Sequence, residues 1–194
     1  MDKIKNTMLA APDDVKAASY VNYNVDDSIL GASIRETQEI HLQSIIGSNL
    51  FYRLQELVYN AVKGNEDNID EEANALYKEL LDDYVSPYLI NKTVAVLCVP
   101  LSYKLRNIGV SKSKDDNIDS VSLREVMAVQ NRFNTMSATY ATQLSKYLCL
   151  HKDDFEELAQ TQCGCGLFIP AVLGKTFVET GLSLGSTKNG CNCC

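Results

Sequence analysis

Two helical segments joined at a single glycine constrain this chain more than any other feature. In the first segment, candidate core-facing side chains recur near helical spacing: Leu30, Ile34, His41 and Ile45. In the second, an apolar stripe has the same period: Leu50, Leu54, Leu57, Val58 and Ala61. We expect Gly47 to end the first helix in a left-handed conformation, Ser48 to cap the second, and Gly64 to end it. Because the connection is so short, the pattern predicts two helices that face a shared core.

The length of 194 residues favours one domain with flanking segments. We expect an all-α helical bundle over residues 26–160, preceded by an extended N-terminal arm, residues 1–25, with a short helix near Val15–Tyr20. Residues 161–194 are rich in Cys and Gly and apolar without a helical period, which predicts a C-terminal arm. Such a segment is expected to pack on its own bundle or on a neighbouring subunit.

Charge and hydropathy narrow the class of protein further. The net charge of -7 argues against non-specific nucleic-acid binding through the overall field. The longest apolar run, Val94–Leu101, is far shorter than the roughly 18 residues of a membrane span. The first residues lack the apolar core of a secretory signal. These features predict a soluble, intracellular protein without a membrane segment.

The next helical region spans residues 70–106 and contains two prolines. Pro87 is expected to interrupt the helix and to open a new segment at its first position. Residues 89–106 then predict an almost wholly apolar, buried helix, which Pro100 should kink by removing one backbone hydrogen bond. The part before Pro87 has one apolar face: Ala73, Leu76, Tyr77, Leu80, Leu81 and Tyr84.

Residues 107–122 break the helical pattern with Gly109, serines and an Asp-Asp-Asn cluster, all of which favour turns. The short runs IGVS and IDSV flank this turn and predict a small β-hairpin or a long protruding loop. A polar loop of this length in a compact helical domain is often functional, and a solvated surface loop is the alternative.

Ser122 and Glu125 form a capping box, the best helix-start signal in the chain. The helix behind it, residues 123–150, has a near-heptad stripe typical of a long bundle helix. A short helix carrying Phe155 and Leu158 is expected to follow. The stripe consists of Val126, Val129, Phe133, Met136, Tyr140, Leu144 and Tyr147.

Side chains suited to catalysis are sparse. The chain has two histidines, and His41, on the first helical stripe, is expected to be a satisfied core or interface residue. The sequence has no Ser-His-Asp set, P-loop, dinucleotide fingerprint or HExxH motif. This poverty argues against a hydrolase or transferase, and predicts a protein that is not an enzyme and has no cofactor.

The seven cysteines leave one alternative open. Cys98 and Cys149 lie in helical patterns and are expected to be small core hydrophobes. The CxC spacing of the others differs from the CxxC of common zinc sites, so we do not expect a metal site. A small zinc-binding regulatory or interaction protein is nevertheless the alternative function, with thiolates from Cys163, Cys165, Cys191, Cys193 and Cys194.

The stretch IRETQEIHLQSIIGSNLFYRLQELV resembles tailed-phage head–tail connector (adaptor) proteins, most of all those of crAss-like and other phages of Bacteroides-type hosts. In that family a helix with a Thr-Gln pair runs into LG-x-x-L-Y and then a second helix. Here the Pro-Leu that often precedes the glycine is Ile45-Ile46, and the Cys-rich C-terminus departs from the pattern. The resemblance covers about residues 26–160, and its motif residues are Thr37, Gln38, Ile46, Gly47, Leu50, Phe51 and Tyr52.

The resemblance implies a structural virion protein at the portal vertex, assembled in the host cytoplasm. It implies a homo-oligomeric ring, a dodecamer, that joins the portal protein to further tail or adaptor proteins and extends the DNA channel. Double-stranded DNA would pass without sequence-specific binding, and no membrane would be involved. We expect two segments, the 107–122 insertion and the C-terminal arm, to bind partners through Lys112, Lys114, Asp115, Asp116, Leu167, Phe168, Ile169 and Phe177.

Overall fold

The structure is a computed structural model that describes residue 4 and residues 6–106, 109–112 and 122–159. It is mainly helical, which confirms the all-α class. Three short non-α turns interrupt the α-helices: π turns at Thr37–Leu42 and Leu80–Val85, and a 3₁₀ turn at Glu72–Asn74. The α-helices are α1 Pro12–Ala18, α2 Asp27–Glu36, α3 Gln43–Ile46, α4 Ser48–Lys63, α5 Ala75–Glu79, α6 Ser86–Ser102, α7 Leu123–Leu150 and α8 Glu156–Ala159.

The corner at Gly47 joins α3 to α4 through one residue, as predicted. The Gly47 N–H donates to Gln43 O (3.0 Å) and its carbonyl accepts from Phe51 N (3.1 Å), so that one residue ends one helix and begins the next. Its φ of 82° and ψ of 157° lie in an extended region open almost only to glycine, rather than in the left-handed helical region that we expected. Ser48 is not the cap: its Oγ accepts from Gln43 Nε2 (2.9 Å).

The helical run from Glu72 to Ser102 corrects two predictions. Pro87 does not interrupt it, because the π turn before Pro87 already shifts the bonding pattern, and Ser86 N–H donates to Leu81 O, five residues back. The helix also ends at Ser102 rather than at residue 106. Pro100 supplies no N–H to the last turn, which therefore has little to hold it against strand formation.

A two-stranded antiparallel ladder follows: β1 Tyr103–Arg106 pairs with β2 Gly109–Lys112. The predicted hairpin paired IGVS with IDSV across residues 107–122, whereas Val110 lies opposite Leu105. The predicted insertion is therefore not supported in that form. The other predicted strand, residues 118–121, lies outside the described residues.

Helices α6 and α7 run antiparallel and form the spine of the molecule. Gln130 Nε2 donates to Ala95 O (3.2 Å), and Lys92 Nζ donates to Asn134 Oδ1 (2.9 Å). The Ser122–Glu125 capping box begins α7 as predicted. Phe155, just before α8, is fully buried against the Tyr77 ring (5.3 Å between centroids).

Two hydrophobic clusters make up the described core. The larger cluster joins α3, α4, the second π turn and the C-terminal half of α7, and it includes Leu54, Leu80, Leu144 and Phe155. The smaller cluster joins α1, α2 and the C-terminal half of α6 to Phe133 of α7. The bundle therefore has two ends with separate cores along one α6–α7 spine.

The N-terminal segment is not the extended arm that we expected. Leu9 and Ala10 are buried in the larger cluster, and Val15 of α1 is buried in the smaller one. Gln38 is fully buried, accepts from Leu9 N (3.1 Å) and donates to Thr7 O (3.0 Å). This buried amide fixes the segment by its backbone, because an amide side chain offers a donor and an acceptor side by side.

Candidate binding surfaces and cavity

The predicted partner-binding residues lie almost entirely outside the described residues. Lys112 is the last residue of β2, and its backbone pairs with Tyr103. The structure therefore neither brings this set together nor separates it, and its role stays a prediction. The residues concerned are Lys114, Asp115, Asp116, Leu167, Phe168, Ile169 and Phe177, and the same holds for the five cysteines from Cys163 onward.

A cavity of about 400 Å³ opens between the end of α2, the first π turn and the α6–α7 pair. The lining combines polar and apolar side chains, so the space suits a group with a charged head and a short hydrocarbon stem. Its lining residues are Glu36, His41, Lys92, Ala95, Val96, Val99, Pro100, Gln130 and Asn134.

The first π turn explains why Glu36 and His41 line the same cavity. In an α-helix residues five apart point about 140° away from each other, because each residue turns the chain by about 100°. A π turn bonds residue i to residue i+5 and brings such a pair to one side. Sequence spacing alone therefore could not have placed His41 beside Glu36.

Lys92 is the cationic group of the cavity and is half-buried. Its ammonium donates to Asn134 Oδ1 at 2.9 Å. Burial lowers the pKa of Lys92 below its usual value, and the nearby Glu36 carboxylate partly opposes this. No ion pair within 4.0 Å joins these two side chains. The ammonium thus keeps spare N–H donors that face the cavity.

His41 is half-buried rather than a fully enclosed core residue. Burial lowers its pKa first and the Lys92 charge lowers it further, while Glu36 acts in the opposite sense. Since the ordinary value is already 6.5, the imidazole is neutral at pH 7. The ring forms no hydrogen bond with the part of the chain that is described, so His41 is not a satisfied core residue there, and the expected interface role stays a prediction.

The groups that line the cavity suit the binding of an anion. Among the described residues, no group of three or more His, Cys, Asp and Glu side chains could hold a metal ion. The cavity offers one cation, one neutral imidazole, two carboxamides and an exposed carboxylate beside an apolar wall. These groups can hold an anionic side chain or a small carboxylate.

A second feature is an exposed apolar surface at the end of the α6–α7 pair that leads into β1 and β2. We call it the hairpin-end surface. No residue of α7 before Phe133 is buried, so its first turns extend beyond the core. A groove of about 550 Å³ runs along one side of these turns, past Met127 and Arg124. The surface is defined by the exposed apolar side chains at this end, which lie on more than one side of α7: Val99, Leu101, Leu123, Met127 and Val129, each more than 40% exposed.

The opposite end of the bundle is strongly acidic. Residues 65–83, which we call the acidic segment, contain eight acidic residues and one basic residue. Some carboxylates have partners: Asp67 binds Arg53 through two hydrogen bonds, and Asp70 binds Lys78 at 2.7 Å. Asp82 and Asp83, in the second π turn, are exposed and accept no hydrogen bond from the described part of the chain.

Within the described residues, one helix, Glu72–Ser102, is long and apolar enough to cross a membrane by length and composition alone. The same helix places Leu89, Val94 and Leu97 in the protein core. Core helices of globular proteins commonly pass the same test, so the absence of a membrane segment stays a prediction.

Comparison with known proteins gives one match. A family of unknown function matches residues 42–166, which is more than half of the chain. No curated protein matches the chain, and no solved structure matches it. The matched region begins in the first π turn and includes α3 to α8.

Proposed function

The chain belongs to this family of unknown function, DUF6712, and from the resemblance of the stretch around Thr37, Gln38 and Gly47 to head–tail connector proteins we propose that it is a structural virion protein. In this proposal it is a subunit of a head–tail connector ring that joins the portal to the tail and extends the DNA channel. It has no catalytic role. The insertion at residues 107–122 and the arm at residues 161–194 contact the neighbouring proteins.

The structural feature that best supports the proposal is the hairpin-end surface. Met127 and Leu123 are about half exposed on a helix that runs past its own core. Exposed apolar patches of this kind mark protein–protein contacts, since water contact with them is unfavourable. A helical pair with exposed apolar side chains near one end is suited to insertion between neighbours in a ring, where each copy uses two different faces.

The charge distribution supports a channel that does not grip DNA. The acidic segment repels phosphate rather than neutralising it, so double-stranded DNA can pass without sequence-specific binding. Confinement of the DNA then comes from the shape of the ring.

Electron microscopy of virions from the phage that encodes this chain tests the proposal, with mass spectrometry of the same particles. We expect peptides of the chain in purified virions and a closed ring beneath the portal. The α6–α7 pair should fit that density with the hairpin-end surface in a protein contact. Absence of the chain from virions contradicts the proposal.

A matched pair of variants tests the role of the hairpin-end surface directly. Met127→Asp places a charge on the hairpin-end surface, and Val62→Asp places one on a more exposed apolar residue of α4. Both should fold, because neither side chain is buried. We expect only Met127→Asp to prevent incorporation into virions. Equal incorporation of both variants would remove the role assigned to this surface.

A truncation tests the proposed C-terminal contacts. Deletion of residues 163–194 should leave a folded monomer, because the described core ends at Phe155. That monomer should no longer assemble on the portal or on neighbouring adaptor subunits. Unimpaired assembly would remove Leu167, Phe168, Ile169 and Phe177 from the proposed contacts.

A further inference from the structure

The cavity contains polar groups that have few or no partners among the described residues. Lys92 has one hydrogen-bond acceptor among the described residues, although an ammonium carries three protons. Neither the His41 ring nor the Glu36 carboxylate forms a hydrogen bond there. Lys92 and His41 are half-buried, so an entering group that accepts hydrogen bonds from Lys92 can replace water there.

The charges of the cavity favour a single carboxylate. An entering carboxylate accepts hydrogen bonds from the spare N–H groups of Lys92, and its methylene stem contacts Val96 and Val99. Glu36 at the exposed rim adds a negative charge, which disfavours a dianion such as phosphate. A monoanionic aspartate or glutamate side chain therefore fits this site best.

The chain cannot supply this carboxylate from its own acidic segment. Asp82 and Asp83 lie about ten residues before Lys92 on the same helical run, which is roughly 15 Å along the axis. They lie beside the larger cluster, whereas the cavity lies beside the smaller one. Complementary charges at opposite ends of one chain can meet only between copies.

We propose that the cavity receives an acidic side chain from the acidic segment of a second copy of this chain, with Lys92 as its counter-ion. The contact joins two different surfaces, so repeated copies close into a ring or continue as a filament. This inference rests on the proposed ring, and it names the faces that neighbouring subunits use. The preferred donor is one carboxylate, from either Asp82 or Asp83, because both side chains are exposed and held in the second π turn.

Zero-length carbodiimide coupling tests the contact, because it joins a carboxylate only to an amine that touches it. Full-length protein labelled with ¹⁵N is mixed with unlabelled protein under reducing conditions, coupled over a series of concentrations and digested. We expect peptides that join Lys92 to Asp82 or Asp83 with one half labelled and the other unlabelled. Coupled dimers without Lys92, or no coupled dimer at any concentration, overturn the proposal.

Two lysine variants provide the matched control. Lys92→Met removes the cation and keeps the stem, while Lys146→Met removes an exposed lysine from α7. We expect about tenfold weaker self-association for Lys92→Met, which corresponds to about 1.4 kcal/mol. Lys146→Met should behave as the parent chain. Equal association constants for both variants contradict a role for Lys92.

A charge exchange separates a direct contact from a general charge effect. Lys92→Glu alone and the pair Asp82→Lys with Asp83→Lys should each weaken self-association, and all three changes in one chain should restore it. If the chain with all three changes associates no more tightly than the weaker of the two partially changed chains, the contact is overturned. Virion location is measured separately, so a chain that couples as expected but is absent from virions refutes the connector and not this contact.

Discussion

Replacement of Gln38 by methionine tests how the N-terminal segment is held. Methionine has nearly the same volume and removes both hydrogen bonds, from Leu9 N to Oε1 (3.1 Å) and from Nε2 to Thr7 O (3.0 Å). Thr7 O keeps a second donor, Gln55 Nε2 at 2.9 Å. The Leu9 N–H loses the acceptor that the structure gives it. Because this site is buried, the Leu9 N–H dominates the expected cost.

The magnitude follows from these two losses. A buried N–H left without a partner costs about 1–3 kcal/mol, and the second bond contributes about 0.5–1.5 kcal/mol. We therefore expect Gln38→Met to lower the free energy of unfolding by about 2–4 kcal/mol. Among the described residues, the Gln43 side chain bonds the Ser48 hydroxyl near the surface. Gln43→Met should therefore change the free energy of unfolding by no more than about 0.5 kcal/mol.

Urea denaturation with fitted m-values measures both variants, and hydrogen exchange follows the Leu9 amide. In the parent chain this amide should be protected, and in Gln38→Met it should exchange much faster while amides in α7 stay slow. An unprotected Leu9 amide in the parent chain, or equal unfolding free energies for the two variants, would refute the reasoning.

Four further substitutions probe the corner, a helical glycine, the core and the cavity. Gly47→Ala should destabilise by about 1–3 kcal/mol in urea denaturation because of its positive φ, although an added Cβ meets open space. Gly31→Ala, inside α2, should instead raise the free energy of unfolding by about 0.5–1 kcal/mol. A change of the same sign in both glycine variants would contradict this reasoning. Phe155→Ala should cost about 3–5 kcal/mol by thermal or urea unfolding, since the ring is fully buried. The folded-state pKa of His41 lies below 6.5, so its contribution to stability is present above that pH and is lost as pH falls. His41→Leu should flatten the pH dependence of the urea midpoint between about pH 7 and 5, and an unchanged slope would count against this.

Local signals predicted the ends of several helices. The Ser122–Glu125 box and the two glycines that end α3 and α4 act through neighbouring backbone groups, so a short window of sequence contains the whole cause. The same holds for the long stripe of α7. The all-α class follows from these signals together.

Other features depend on contacts between distant residues. Residues 103–106 continue an apolar helical pattern, yet they pair with Gly109–Lys112 once Pro100 has weakened the last turn. Gln38 binds a backbone 31 positions upstream, and Lys92 binds a side chain 42 positions downstream. The π turn that brings Glu36 and His41 to the same side has no characteristic amino-acid composition, so it could not be recognised in the sequence. The cavity therefore could not be predicted from spacing.

The packing of Leu9 has a consequence for how the chain is made. Leu9 and Ala10 leave the ribosome early, but their cluster also contains Leu148 and Phe155, which are synthesised last among the core residues. The larger core can close only when almost all described residues are available. Contacts so far apart in sequence slow folding relative to a bundle of local hairpins. The nascent chain must therefore keep Leu9 and Ala10 from aggregating until Leu148 and Phe155 have been synthesised.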